Sequence, residues 1–139
     1  MFEAKINHRS NQIGVQYVII SDEAGIFDAF NFIADRLADK GTAILSFIYT
    51  VSDNNVHPLF ETELHILERR YSGKLTVQMM RMDTRNYWSK LEIIEATINS
   101  NTSPGINFLV FGNTGFVNYV SEILGILDVK NPMIKLKIA

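Results

Sequence analysis

Two short stretches hold the residue types that could do chemistry. Ser21-Asp22-Glu23-Ala24-Gly25 sets a hydroxyl and two carboxylates before a glycine. Gly112-Asn113-Thr114-Gly115 sets two polar side chains between glycines. Glycines let a backbone come close to a ligand, and amides at a helix start can hold phosphate, ribose or carboxamide groups. In the first stretch Asp22 and Glu23 sit where a phosphate would arrive, and like charges repel. Their local reading is that Ser21 or Asp22 caps a helix, with acids favoured by its dipole. In the second, the local reading is a tight turn with Thr114 as the cap. A third group is Arg81 with Arg85, Tyr87 and Trp88 after it. An arginine and aromatics can stack on an adenine or meet a partner surface; the plainer reading packs Tyr87 and Trp88 against the protein's own loop.

Other chemistries lack their parts. The 139 residues include no cysteine, which removes disulfides, thiolate metal sites and thiol nucleophiles. His8, His57 and His65 lie in three different elements without a convergent carboxylate, so no metal site is assigned. No G-x-S-x-G elbow accompanies a Ser-His-Asp set. Lys plus Arg number 13 against 15 Asp plus Glu, so no bulk positive field draws in nucleic acid. No apolar run approaches the roughly 18 residues of a membrane span. Residues 1–13 lack the apolar core of a signal peptide, and the expected setting is cytoplasmic.

The loops need elements to hold them. Tyr17–Ile20, Ala43–Thr50, Leu75–Met82 and Ile106–Phe111 read as strands, and the first two are buried on both faces. Met133–Ile138 alternates, as an edge strand with Lys135 and Lys137 outward would. Helices are expected over Gly25–Asp39, from Pro58 to Tyr71, over Ser89–Ile98 and over Thr114–Leu127. Ile26, Phe30, Ile33, Ala34 and Leu37 form the inward face of the first. Phe60, Leu64, Leu67 and Tyr71 form that of the second, while Glu61, Glu63 and Glu68 read as a solvated face. Met79, Met80 and Met82 read as strand core. Strict alternation calls for a doubly wound five-stranded parallel sheet, order 3-2-1-4-5, with helices on both faces. Residues 14–139 make one α/β domain, and 1–13 are an N-terminal segment or linker. Ligands of such sheets bind at the carboxyl ends of the strands where the order reverses, between strands 1 and 4. Both loops fall there.

The arrangement resembles the NAD(P)-binding domain of the ferredoxin–NADP reductase superfamily of flavoproteins, over about residues 14–138. Asp22-Glu23-Ala24-Gly25-Ile26-Phe27-Asp28 matches the G-G-x-G-I-x-P turn at its last glycine and its isoleucine. Tyr49-Thr50-Val51-Ser52, then Leu59-Phe60-Glu61-Thr62-Glu63-Leu64, is similar to the end of the second strand and the helix beyond it. Phe111-Gly112-Asn113-Thr114-Gly115-Phe116 is similar to the C-G-P-x-G turn. The resemblance implies Ala24 and Gly25 near a pyrophosphate, Thr50 and Ser52 near the adenosine ribose, and Gly112, Asn113, Thr114 and Gly115 near the nicotinamide. Arg81 is a candidate for the adenine. The departures are Asp22 and Glu23 for two glycines, Asp28 for the proline, Phe111 for the cysteine, and Ser52 for the arginine that favours a 2′-phosphate. NAD(H) is thus expected over NADP(H). FAD or FMN would enter only through a flavin-binding domain or subunit outside this chain, and self-association stays open. No catalytic residue is assigned. The alternative is a degenerate, non-catalytic member of the fold acting as a structural or subunit-interaction domain. A second resemblance, to the acidic pocket of receiver domains, rests on Asp22 and Glu23; strand 3 ends Met80-Arg81-Met82-Asp83-Thr84, without the Met-Pro turn of that family.

Overall fold

The computed structural model describes residues 15–39, 42–82, 105–126 and 133–136. The helix expected over Ser89–Ile98, the group Arg85, Tyr87 and Trp88, His8 and the segment 1–13 all lie outside those residues. In chain order the described elements are β1 (Gln16–Ser21), α1 (Ile26–Ala38), β2 (Ile44–Ser52), α2 (Glu61–Arg70), β3 (Leu75–Met82), β4 (Ile106–Gly112), α3 (Thr114–Ile126) and β5 (Met133–Leu136).

The strands β3-β2-β1-β4 pair in parallel, in that order, and the short β5 extends the sheet beyond β4. Ser21 of β1 stands level with Tyr49 of β2 on one side and Phe111 of β4 on the other. The carboxyl ends of the three central strands therefore open on one edge. Sequential βαβ links must be right-handed, so β2 and β3 build outward to one side of β1 while β4 starts on the other. The order reverses between β1 and β4, as the alternation requires.

Alternate residues on each strand separate two cores. Val18, Ile20, Ile48, Met80, Phe108 and Val110 pack with Val117, Val120 and Leu124 of α3. Ile19, Phe47, Tyr49, Val51, Leu109 and Phe111 pack with Ile33 and Leu37 of α1 and Leu64 of α2. Helices thus cover both faces, which is why the strands read as unbroken apolar runs rather than as alternating ones.

Local details depart from the sequence reading. In α1, Ala29 is buried while Phe30 and Ala34 are only half-buried. Helix α2 starts at Glu61, not at Pro58: Phe60 occupies the N-cap in a left-handed conformation, and the Glu61 amide donates to the Pro58 carbonyl. Phe60 then stacks on Phe30, with ring centroids 4.2 Å apart, and meets Phe27 edge-on. That packing holds the conformation that a bulky residue rarely adopts. Glu68 is not simply solvated, because its carboxylate accepts the Val77 amide at 2.8 Å. At the far end of α1, the Arg36 guanidinium lies over Phe32 at 4.6 Å and Tyr17 at 5.6 Å. Among the described residues no helix is long and apolar enough to cross a membrane.

Candidate functional site

The β1–α1 and β4–α3 loops touch through their backbones. A Cβ on Gly25 would lie 2.5 Å from the Phe111 carbonyl carbon and 2.6 Å from the Gly112 nitrogen. A Cβ on Gly112 would fall 2.6 Å from an oxygen of the Asp22 carboxylate. Backbone closes on Gly25, so that position requires glycine, as the helix–strand contact of a doubly wound switch point does; at Gly112, whose neighbour is the Asp22 side chain, a φ of 156° favours it. Gly115 does not: its Cβ would meet only the Asn113 side chain, at 3.7 Å.

Asp22 ties the two loops together. One carboxylate oxygen accepts the Gly25 amide at 2.9 Å and the other accepts the Asn113 amide at 3.2 Å. The Asp22 amide in turn donates to the Phe111 carbonyl at 3.3 Å. Burial raises the Asp22 carboxyl above its ordinary value, against the opposing pull of the Asn113, Gly25 and Ala24 amides. Asp22 is therefore not the cap of α1. Gly25 holds that position without a side-chain bond, and Asp22 braces the turn one step earlier. Ser21 does not cap it either, since its buried hydroxyl donates to the Asp22 carbonyl at 2.8 Å.

Glu23 turns the other way. It accepts the Ser52 amide at 3.1 Å and the Ser52 hydroxyl at 2.9 Å on one oxygen, and the Asn55 side-chain amide on the other. The first loop thereby lends an acid to the carboxyl end of β2. The expectation that both acids meet an incoming phosphate is corrected for Glu23, whose charge is directed 29 residues away along the chain. Arg81, at the end of β3, donates to the Asn55 carbonyl at 2.5 Å and so steadies the same loop.

The other candidates fall around this centre. Ala24 is half-buried in the turn. Thr50 is 4% exposed and donates to the Ser21 carbonyl at 3.3 Å, so its hydroxyl links β2 to β1. Asn113 caps α3, contrary to the reading of Thr114: its side-chain oxygen accepts the Phe116 amide at 2.9 Å, and its carbonyl accepts Val117. Thr114 and Gly115 are exposed in the first turn beyond it. Phe111 is buried against the α1 side. Tyr49, level with it across β1, donates to the Leu59 carbonyl at 3.2 Å. Burial pushes its phenol up to about 12, and the Glu23, Asp22 and Glu61 carboxylates add to the shift. His57 and His65 are exposed, and no group of three metal-binding side chains occurs among the described residues.

Sequence reasoning missed Asn55 and the reach of Glu23, for which no local spacing gives a signal. It also misplaced the α3 cap, although Asn leads Thr at such positions and Asn113 stands three residues before the amide it receives.

Solved structures resemble this chain in fold. The domains of human Ncb5or in its NAD+ form match with a TM-score of 0.68 at 11% identity, over 91% of this chain and 37% of that one. Ferredoxin-NADP+ reductase from Plasmodium falciparum with 2′P-AMP matches at 0.64 and 13%, over 90% and 52%. Flavohemoglobin from Malassezia yamatoensis, with bound FAD and heme, matches at 0.66 and 13%, over 92% and 32%. No protein-family model matches the chain, and no curated protein sequence matches it. The chain thus has the fold of the NAD(P)-binding domain of ferredoxin–NADP reductase-like proteins. It spans between about a third and a half of the chains it resembles.

Proposed function

We propose that residues 14–139 form the pyridine-nucleotide-binding module of a flavin-dependent reductase, working with a flavin domain or subunit outside this chain. The observation that carries this reading is the backbone contact of Gly25 with Phe111 and Gly112, which joins the two loops at the switch point of the sheet. The residues fit a dinucleotide at two of its three parts. On this reading Ser52, steadied with Glu23 and Asn55, would take the adenosine end. The exposed run Asn113-Thr114-Gly115 lies at the nicotinamide end, with amides at the start of α3. The diphosphate part fits only if the Asp22 carboxylate gives up its amides or is neutralised.

When bound, a nicotinamide would supply or accept the hydride exchanged with the flavin. This chain's own part is to bind, orient and screen. The backbone of Gly25 and Gly112 gives close approach, Arg81 fixes the β2–α2 loop, and Phe111 offers no thiol. We favour NAD(H), because Ser52 stands where an arginine would recruit a 2′-phosphate. Calorimetric titration with NADH and NADPH tests the module: no heat of binding at millimolar nucleotide sinks it.

A second reading has its own observation. Asp22 already occupies the Gly25 and Asn113 amides. This internal anion favours a domain that keeps the fold for structural or subunit contacts. Asp22→Gly separates the two readings: a nucleotide site gains affinity when the charge is removed, whereas a purely structural domain stays silent in the titration.

A further inference from the structure

We infer that Glu23 is the residue that sets nucleotide specificity, taking an adenosine ribose hydroxyl and rejecting a 2′-phosphate; this rests on the nucleotide-binding reading above. In doubly wound sheets an acid near the end of the second strand bonds the ribose hydroxyl, while an arginine nearby accommodates the phosphate. That acid ordinarily belongs to the second strand. Here it is lent by the loop after β1, across 29 residues, and is anchored to the last residue of β2 by both the Ser52 amide and the Ser52 hydroxyl.

The anchoring leaves capacity for a ligand. An ionised carboxylate offers about four lone-pair sites. Ser52 fills two on one oxygen, and Asn55 fills one on the other. The remaining site can accept one hydroxyl. Glu23 is half-buried and Ser52 is half-buried beside it, so the site borders solvent. Arg81, at the end of β3, is turned to the Asn55 carbonyl. A doubly charged 2′-phosphate would meet the Glu23 carboxylate with no arginine among the described residues hydrogen-bonded to that carboxylate. Asp53 follows Ser52 directly, but it is exposed beyond the strand end. It is the competing candidate for the same role.

The test compares NADH and NADPH affinities of the full chain by calorimetry, for wild type, Glu23→Gln, Glu23→Ala and Asp53→Asn, with a melting curve for each. Glutamine keeps an acceptor for Ser52, so it preserves the loop while removing the charge. We expect wild type to favour NADH by about tenfold or more, the ratio expected of one repelled charge pair near a protein surface. Glu23→Gln and Glu23→Ala should bring that ratio close to one, and Asp53→Asn should leave it alone. A purely structural Glu23 would weaken both nucleotides equally and keep the ratio. Wild type binding NADH with an unchanged ratio in both Glu23 variants overturns the inference, as does a ratio that moves only in Asp53→Asn. Wild type binding neither nucleotide overturns the reading beneath it as well, and is told apart by the absence of any NADH signal.

Discussion

Replacing Gly25 with alanine tests the backbone contact that joins the two loops. The added Cβ would lie 2.5 Å from the Phe111 carbonyl carbon, 2.6 Å from the Gly112 nitrogen and 2.7 Å from the Phe111 Cβ. All three belong to a strand end that is paired with β1, so no flexible side chain can swing aside. Something must move by most of an ångström, and overpacking of that kind costs about 1–3 kcal/mol. Gly25 has φ −95° and ψ 4°, which alanine can also adopt. The stiffer unfolded chain therefore returns about 0.4–1 kcal/mol. The net expectation is a loss of about 1–2 kcal/mol, or roughly 4–8 °C in melting temperature for a chain of this size. Gly115→Ala is the control. Its Cβ meets ordinary space, and alanine is favoured over glycine in a helix by up to about 1 kcal/mol. Urea unfolding followed by circular dichroism reads both. Equal midpoints for wild type and Gly25→Ala would refute the backbone contact, and so would a loss in Gly115→Ala as large as in Gly25→Ala.

Three further perturbations follow from the same geometry. Because the folded Asp22 carboxyl titrates above its ordinary value, its contribution to stability is full below the unfolded pKa and is lost as pH rises through the folded one. The stability of wild type minus that of Asp22→Asn should therefore grow as pH falls from 7 towards 4; urea midpoints that keep a constant difference would contradict the burial of that carboxylate. Tyr49, pushed up to about 12, should stay protonated in the folded chain at pH 10, so an ultraviolet titration should show a late-ionising phenol that is lost in Tyr49→Phe. Tyr49→Phe also strands the Leu59 carbonyl and should cost about 1 kcal/mol in a urea titration. Arg36→Ala should lose about 0.5–1 kcal/mol through its contacts with Phe32 and Tyr17, and Arg36→Lys should recover only part of it.

The sheet was legible from the chain because its information is local. Runs such as Tyr17–Ile20 and Ile106–Phe111 are apolar on both faces, and only a strand covered on both sides needs that. Alternation and handedness then leave few orders to choose from. The loops were legible as places, because a switch point is a property of topology. What their side chains do was not. Asp22 meets Asn113 across 91 residues, and Glu23 meets Ser52 across 29. Residue type marked both as acids at a helix start, and the dipole argument for capping applies equally to either. Their partners are chosen by how β1, β2 and β4 lie side by side, which no spacing along the chain records. The Asn113 cap differs in kind: its bond to Phe116 spans three residues, so the signal was present and a competing threonine obscured it.

Glu68 has a meaning beyond its own helix. Strand β3 forms one margin of the sheet, and a margin carries amides able to recruit a strand from another molecule. The first two such amides are already taken from within: Leu75 donates to the Tyr71 carbonyl and Val77 to Glu68. The helix that leads into the strand thus closes its beginning against templated growth, and it does so with a carboxylate. A residue that completes a hydrogen-bond pattern within one molecule thereby also withholds the start of β3 from a second one.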